Sequence, residues 1–126
     1  MVKLLVVDDE GEILDVIAEE LDGLHKVHPA SNSDEAFAVL GEQTIDALLC
    51  DVDLADSELQ GDELMAVVQA DYPGVTIVAM TGGVSQNLPF IMHAGVRHVL
   101  RKPFSRNALI SIIDEALGIH RDTVSV

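Results

Sequence analysis

Five short apolar runs recur along the chain, and each is followed by a stretch in which apolar residues return at helical spacing. The runs cover residues 3–7, 26–30, 46–50, 75–80 and 97–101. Strands separated by helices cannot pair as hairpins, so they are expected to lie parallel, joined by right-handed crossovers. The pattern predicts a doubly wound α/β fold, in which a five-stranded parallel sheet lies between two layers of helices.

Details of the runs predict where strands and helices lie. Strands 1, 3 and 4 are continuously apolar, which is typical of strands buried on both faces, whereas Pro29 cannot donate a ladder hydrogen bond and predicts that strand 2 is an edge. Helices are expected to begin near Ser33, Gly61 and Ser105, and the last to end at Gly118. Core-facing stripes are expected at these apolar positions of the first and last helices: Ile13, Val16, Ile17, Leu21, Leu109, Ile112, Ile113, Ala116 and Leu117.

Length and composition predict one folded domain over residues 1–119, followed by a flexible tail over residues 120–126. No apolar run approaches the roughly 20 residues of a membrane helix, so no membrane association and a cytoplasmic location are expected. The lone Cys50 has apolar neighbours and is interpreted as a buried, reduced thiol without a chemical role. A net charge of −15, from 22 acidic and 7 basic residues, argues against nucleic acid as a partner.

Polar side chains gather where the predicted strands end. Ligands of open α/β sheets bind outside the carboxyl ends of the strands. The residues at those ends are Asp8, Asp9 and Glu10 after strand 1, Asp51 and Asp53 after strand 3, Thr81 after strand 4 and Lys102 with Pro103 after strand 5. Each one alone is explained by a helix cap, a turn or a solvated charge. Their coincidence on one edge favours a functional site.

Clustered carboxylates repel one another unless a cation compensates them, and hard oxygen ligands select Mg²⁺ or a similar divalent ion. A carboxylate beside a metal can also attack phosphorus and form an aspartyl phosphate, provided that positive charge and hydrogen-bond donors neutralise the transferred group. Lys102 supplies the charge, and the Thr81 hydroxyl with the Gly82 amide supplies donors. The strand ends therefore contain every group that this chemistry requires.

The motifs LLVVDDE, ALLCDVDL, VAMTGG and AGVRHVLRKPF, taken in this order, resemble the receiver domain of two-component response regulators over nearly the whole chain. The resemblance implies a flavodoxin-like sheet of order 2-1-3-4-5 and a phosphoacceptor at Asp51, with Thr81 and Lys102 as its catalytic partners. It also implies Mg²⁺ bound by Asp9, Asp51 and the backbone carbonyl of Asp53, with help from Asp8. The Lys102–Pro103 peptide bond is commonly cis in such domains.

Partners follow from the same resemblance. The phosphoryl group would come from a sensor histidine kinase or a histidine phosphotransfer protein, and the signal would pass to a downstream protein target by protein–protein interaction. The chain carries no DNA-binding or catalytic output module, so we expect a stand-alone bacterial response regulator that is not an enzyme. A homodimer is a further possibility that the sequence does not decide.

Three departures from the family pattern stand out. The loop after the phosphoacceptor carries Ala55 where the family usually has proline, and it is two residues longer than usual before Gly61. The segment after Thr81 is one residue short, and Val99 stands where the family usually places a switching Tyr, Phe or His. The response is therefore expected to pass through residues 82–95, which would present Leu88, Phe90 and Met92 as apolar surface. The alternative is that these three side chains pack under the loop.

Three other functions compete with the receiver hypothesis. The DVD motif resembles the paired acids of haloacid-dehalogenase-type phosphatases, but it follows the third strand, and the chain has no cap domain. A flavin-binding protein would place a Ser-, Thr- or Gly-rich loop where DDEGE would repel the cofactor phosphate. A receiver-like interaction module that works without phosphorylation is the main alternative, and Mg²⁺-dependent phosphorylation separates it from the receiver hypothesis.

Overall fold

The computed structural model describes residues 2–83 and 88–120, in which strands and helices alternate as the sequence predicts. The elements are β1 (Lys3–Val7), α1 (Gly11–Glu20), β2 (Lys26–Ala30), α2 (Ser33–Glu42), β3 (Ala47–Asp51), α3 (Gly61–Asp71), β4 (Thr76–Thr81), α4 (Leu88–His93), β5 (His98–Arg101) and α5 (Arg106–Leu117). β3 and β4 each begin and end one residue later than predicted. Asp51 and Thr81 are therefore the last residues of their strands rather than the first residues after them.

All neighbouring strands pair in parallel, in the order β2-β1-β3-β4-β5. The predicted sheet order is confirmed, and β2 is an edge strand, as Pro29 indicated. β3 is the central strand, and its last residue Asp51 is aligned with Met80 of β4. The central position of β3 places Asp51 between the ends of β1 and β4.

Alternation along the strands produces two apolar layers. On β1, Leu5 and Val7 join a core cluster with α2, α3 and α4, whereas Leu4 and Val6 join a second cluster with α1 and α5. The sheet is therefore covered by helices on both faces.

The predicted apolar stripes are largely correct. Leu109 and Ile113 of α5 are buried, and Ile112, Ala116 and Leu117 pack against them at the margin of the same cluster. Leu14 and Ile17 of α1 and Leu21 directly after it form the buried stripe. The prediction for Val16 was wrong, because this side chain is 43% exposed. Val16 lies about 100° around the helix from Ile17, which turns it toward solvent.

Helix ends show which polar residues act as caps. α2 begins at Ser33 as expected, but its cap is the preceding Asn32, whose Oδ1 accepts a hydrogen bond from the Glu35 amide at 2.9 Å. Ser105 caps α5 in the same way, and the helix ends at Gly118 in the left-handed conformation with φ 66°.

Two further expectations concern membrane helices and the C-terminal tail. Among the described residues, no helix combines the length and apolarity needed to cross a membrane, and the longest, α5, has 12 residues. Residues 121–126 of the predicted tail lie outside the described residues. The proposed boundary between domain and tail therefore stays a prediction.

Candidate functional site

The parallel strands bring four distant segments of the chain to one edge of the sheet. Asp8 follows β1, Asp51 ends β3, Thr81 ends β4 and Lys102 follows β5. Backbone hydrogen bonds continue past the regular strands, since the Asp8 amide donates to the Ala30 carbonyl at 3.1 Å and the Lys102 amide donates to the Thr81 carbonyl at 2.8 Å. The site residues are thus held by the extended ladder rather than by free loops.

Lys102 is the cation at the centre of the site. Its Nζ lies 2.5 Å from Asp8 Oδ2, 2.8 Å from Asp51 Oδ2 and 3.9 Å from Glu10 Oε1. The Lys102 side chain is only 10% exposed. One ammonium group therefore compensates two buried carboxylates and lies near a third, solvent-facing one.

Backbone amides orient both buried carboxylates. Asp51 Oδ1 accepts a hydrogen bond from the Asp53 amide at 3.0 Å, while its Oδ2 binds Lys102. Asp8 Oδ1 accepts a hydrogen bond from the Glu10 amide at 2.9 Å, while its Oδ2 also binds Lys102. Each carboxylate is therefore fixed by one neutral donor and one charged donor.

Burial and pairing act in opposite directions on the pKa of Asp51. Burial raises its pKa, and this outweighs the hydrogen bonds from Lys102 and the Asp53 amide, which lower it. For Lys102, burial acts to lower the pKa, but its hydrogen bonds to Asp51 and Asp8 outweigh burial, so the pKa lies above the ordinary lysine value. Lys102 stays charged, and Asp51 has the perturbed acidity that is typical of functional carboxylates.

Four acidic side chains meet at this edge. Asp8, Asp9, Glu10 and Asp51 each place a carboxylate oxygen within 4.8 Å of the others. Asp8 and Asp51 are buried while Asp9 and Glu10 are exposed, so the group opens toward solvent on one side. Hard oxygen donors concentrated on an open side fit a small divalent cation that keeps some of its waters, as Mg²⁺ does.

This acidic group corresponds only partly to the predicted ligand set. Glu10 was not predicted as a ligand, although its position directly after the acidic pair was the available signal. Asp53 lines the same cleft, but its carboxylate is not part of the four-acid group. The role expected for the Asp53 carbonyl stays a prediction.

Three of these acids, Asp9, Glu10 and Asp51, line an open cleft of about 330 Å³ together with Lys102. The lining also includes Asp53, Thr81, Gly82 and Gly83. Thr81 is almost fully buried, and its hydroxyl donates a hydrogen bond to the Gly83 carbonyl at 3.1 Å. A phosphoryl group on Asp51 would therefore have hydroxyl, amide and ammonium donors along one wall of the cleft.

Gly61, at the start of α3, packs directly against the backbone of Asp51 and Val52. A β-carbon at Gly61 would lie 1.8 Å from the Asp51 carbonyl oxygen and 2.6 Å from the Val52 carbonyl oxygen. Only glycine allows the start of α3 to approach the end of β3 this closely. The predicted helix start at Gly61 is confirmed, and the structure adds that the close backbone contact requires this glycine.

Cys50 is enclosed in the core directly beside the site, and its thiol donates a hydrogen bond to the Asp51 carbonyl at 3.3 Å. It is a free, buried cysteine next to Asp51, and burial raises the pKa of its thiol well above the ordinary value, with the charges of Asp51 and Asp8 acting in the same direction. A neutral, enclosed thiol is unreactive. The interpretation of Cys50 as a buried thiol is confirmed.

In the predicted output segment, one apolar side chain is half-buried and another is exposed. The Lys102–Pro103 bond is cis, and Val99 packs against the cluster shared by α2, α3 and α4. Leu88 is half-buried against the same cluster, whereas Met92 is 53% exposed. Residues 84–87 and the side chain of Phe90 lie outside the described part of the structure, so the two interpretations of this segment both remain open.

Comparisons with known proteins identify the family of this chain. The family model described as the response regulator receiver domain matches residues 4–114. An NtrX-like response regulator of Rickettsia bellii is 28% identical over 121 residues, which cover 94% of this chain and 25% of that protein. The nitrogen assimilation regulatory protein NtrX of Azorhizobium caulinodans is 28% identical over 90% of this chain and 26% of its own length. The chain thus spans about a quarter of the curated relatives it matches.

Solved structures of similar size share the fold. The receiver domain of NtrX from Brucella abortus superposes with a TM-score of 0.83 at 28% identity, covering 93% of this chain and 99% of that one. The chemotaxis protein CheY4 of Vibrio cholerae gives a TM-score of 0.82 at 26% identity, with coverage of 93% and 99%. The five-stranded architecture is therefore common to both.

Proposed function

The chain belongs to the response regulator receiver domain family, and from this premise we propose that Asp51 accepts a phosphoryl group from a histidine kinase or a histidine phosphotransfer protein, with Mg²⁺ as cofactor. The observation that carries the proposal is the convergence of Lys102, Asp8 and the acidic group on the Asp51 carboxylate. Family membership supports phosphoacceptor signalling in general, and this geometry supports the assignment to Asp51.

Phosphoryl transfer to Asp51 would proceed by displacement. A carboxylate oxygen of Asp51 forms the new phosphorus–oxygen bond, while the bond from phosphorus to the donor's histidine nitrogen breaks and its electron pair stays on that nitrogen. The Asp53 amide and Lys102 hold the Asp51 carboxylate in place, 3.0 and 2.8 Å from its two oxygens. A preoriented nucleophile lowers the entropic part of the barrier.

Charge on the transferred group would be neutralised from two sides. Asp8, Asp9, Glu10 and Asp51 offer the oxygen ligands for Mg²⁺, which when bound supplies positive charge to the phosphoryl oxygens. Lys102 already lies against Asp51 and can turn its ammonium group toward a phosphoryl oxygen. The Thr81 hydroxyl would exchange its bond to the Gly83 carbonyl for a bond to the phosphoryl group.

The proposal extends to the role of the chain in signalling. Phosphorylation would change its affinity for a downstream protein target in the cytoplasm, and the chain itself would not turn over a substrate. The strong negative charge favours a protein target over direct contact with nucleic acid. That the chain works as a stand-alone regulator is likewise only proposed, because the curated relatives that it matches are about four times as long.

Intact mass spectrometry after incubation with a small acyl phosphate and Mg²⁺ tests the proposal without the kinase. We expect a mass increase of about 80 Da, the mass of one phosphoryl group. Asp51→Asn should abolish it, and Asp22→Asn, in the turn after α1, should not. Labelling that persists in Asp51→Asn, or that never occurs in the wild type, would refute the proposal.

A second candidate is a receiver-like module that signals without phosphorylation. The observation that favours it is Val99, a half-buried aliphatic side chain at the position where receiver domains usually carry a switching aromatic ring. Absence of labelling, together with normal binding to a partner, would support this alternative.

A further inference from the structure

The loop between β3 and α3, residues 52–60, contacts the acidic group directly. The Ala55 amide donates a hydrogen bond to Asp9 Oδ2 at 3.1 Å, across 46 positions of sequence. Proline, usual at this position in receiver domains, has no amide hydrogen and could not make this bond. The contact therefore depends on a departure of this chain from the family pattern.

The same loop is fastened at its other side to the start of α2. Ser57 Oγ accepts a hydrogen bond from the Ser33 amide at 3.0 Å and donates one to the Leu59 carbonyl at 2.6 Å. Ser33 Oγ in turn accepts a hydrogen bond from the Leu59 amide at 3.1 Å. We call this reciprocal arrangement of Ser33, Ser57 and Leu59 the serine clasp.

Between these two attachments the loop is braced internally. The Gln60 side chain accepts a hydrogen bond from the Leu54 amide at 3.2 Å and donates one to the Leu54 carbonyl at 2.7 Å. The Leu54 side chain is buried in the core cluster with α2, α3 and α4. The backbone next to Ala55 is therefore restrained, and its amide is held in position for Asp9.

We infer that Ala55 is a positioning residue for Asp9: its backbone amide orients this carboxylate for the cation, and through the loop it couples cation binding to the serine clasp at the start of α2. This inference rests on the proposed function, because it assumes Mg²⁺ at the acidic group. The hydrogen bond from the Ala55 amide uses one lone pair of Asp9 Oδ2 and leaves the other acceptor positions of the carboxylate available to a cation. Groups that orient metal ligands in this way typically contribute about 10–100-fold to metal affinity.

Coupling between the two attachments must be reciprocal. If bound Mg²⁺ favours the oriented Asp9, it also favours the loop conformation that closes the serine clasp, and loss of the clasp must weaken Mg²⁺ binding. Cation binding would thus be sensed by the exposed surface formed by the loop and the first turn of α2, which is a route separate from residues 82–95.

Isothermal titration with Mg²⁺ alone tests the positioning role. Ala55→Pro removes the donor, whereas Ala55→Ser keeps the backbone amide and serves as the matched control. We expect the Kd of Ala55→Pro for Mg²⁺ to rise by about 10-fold or more and that of Ala55→Ser to stay within about twofold. Ser57→Ala should give an intermediate loss. Wild-type affinity in a folded Ala55→Pro would overturn the inference.

Residue-resolved hydrogen exchange of the wild type keeps the test decisive if Ala55→Pro does not fold. The Ala55 and Leu59 amides should exchange more slowly with Mg²⁺ than without it, and unchanged exchange at both would overturn the inference. If the wild type binds no Mg²⁺, the proposed cofactor fails and the positioning role with it. If the wild type binds Mg²⁺ but Ala55→Pro binds equally well, only the positioning role fails.

Discussion

The interior of the sheet and its carboxyl edge follow opposite rules in this molecule. Residues 4–7 of β1 and 47–50 of β3 are apolar and essentially inaccessible to solvent. One residue further on, Asp8 and Asp51 are almost as deeply buried, but they carry charges for which Lys102 is the buried counter-ion. Burial that stabilises the fold in the interior therefore costs free energy at the edge, where each buried charge needs a partner.

Gly61 lies where the start of α3 contacts the carboxyl end of β3, and its replacement should have the largest effect on stability. Gly61→Ala would force a methyl group into the Asp51 and Val52 carbonyls, which requires α3 to move away from β3. We expect the free energy of unfolding to fall by about 3 kcal/mol, measured by chemical denaturation.

Gly11→Ala is the matched control for this variant. Gly11 is also the first residue of a helix, but no atom outside its neighbours lies within 4 Å of the position of an added β-carbon. We expect a change of less than about 1 kcal/mol, in the stabilising direction, because alanine favours helix. Equal effects at the two glycines would show that the contact between α3 and β3 does not constrain the edge.

Mg²⁺ should reverse part of the cost at the edge. A cation that binds only the folded state relieves repulsion among the four acids and stabilises the protein by about 2.7 kcal/mol when its concentration is about 100 times Kd. The measurement is the midpoint of thermal unfolding with and without millimolar Mg²⁺.

Two alanine variants sharpen the Mg²⁺ experiment. Asp9→Ala should lose most of the stabilisation, whereas Asp22→Ala, in the turn after α1, should keep it. A melt that ignores Mg²⁺, or one that responds equally in both variants, would argue against a cation at the acidic group.

The raised pKa of Asp51 should appear as a smaller, pH-dependent difference in stability. A carboxyl group whose pKa is raised by folding binds more protons in the folded state, so its contribution to stability is greatest below about 4 and is lost as the pH rises through its folded pKa. The free energy of unfolding of the wild type, relative to Asp51→Asn without Mg²⁺, should therefore fall as the pH rises from about 4. A difference that rises with pH would show that Lys102 pairing outweighs burial, and a flat one would show that the two effects cancel.

The smallest expected effect is a local one in residues 82–95. If the signal leaves through this segment, its amide hydrogen exchange should change when a phosphoryl mimic binds with Mg²⁺. The reason is that the Thr81 hydroxyl would then leave the Gly83 carbonyl, and loss of this hydrogen bond would loosen the start of the segment. Asp51→Asn is the control and should show no change. Protection that stays the same in residues 82–95 of the wild type would favour simple packing of Leu88 and its neighbours against the core.

Sequence pattern alone predicted the layered α/β architecture and the edge of the sheet at which the polar residues meet, whereas the strand order followed from the family resemblance. Apolar runs alternating with helical stripes predict parallel strands, and the carboxyl ends of parallel strands lie at one edge of the sheet. Asp8, Asp51, Thr81 and Lys102 could therefore be assigned to one site from the sequence. Pro29 likewise predicted the edge strand, because its missing amide hydrogen is a local property of one residue. These features depend on residue type and short-range spacing, which a sequence displays directly.

Tertiary structure alone decided which polar groups contact one another. Lys102 and Asp8 are 94 positions apart, and Ala55 and Asp9 are 46 apart, so no local spacing could indicate that the first pair is an ion pair or that the second is an amide–carboxylate hydrogen bond. Packing also decided three features that depend on the exact orientation of helices and loops. These are the exposure of Val16, the place of Glu10 in the acidic group and the serine clasp. Hydrogen bonds require donor and acceptor to meet within about 3 Å, and only the packed chain determines distances that precisely.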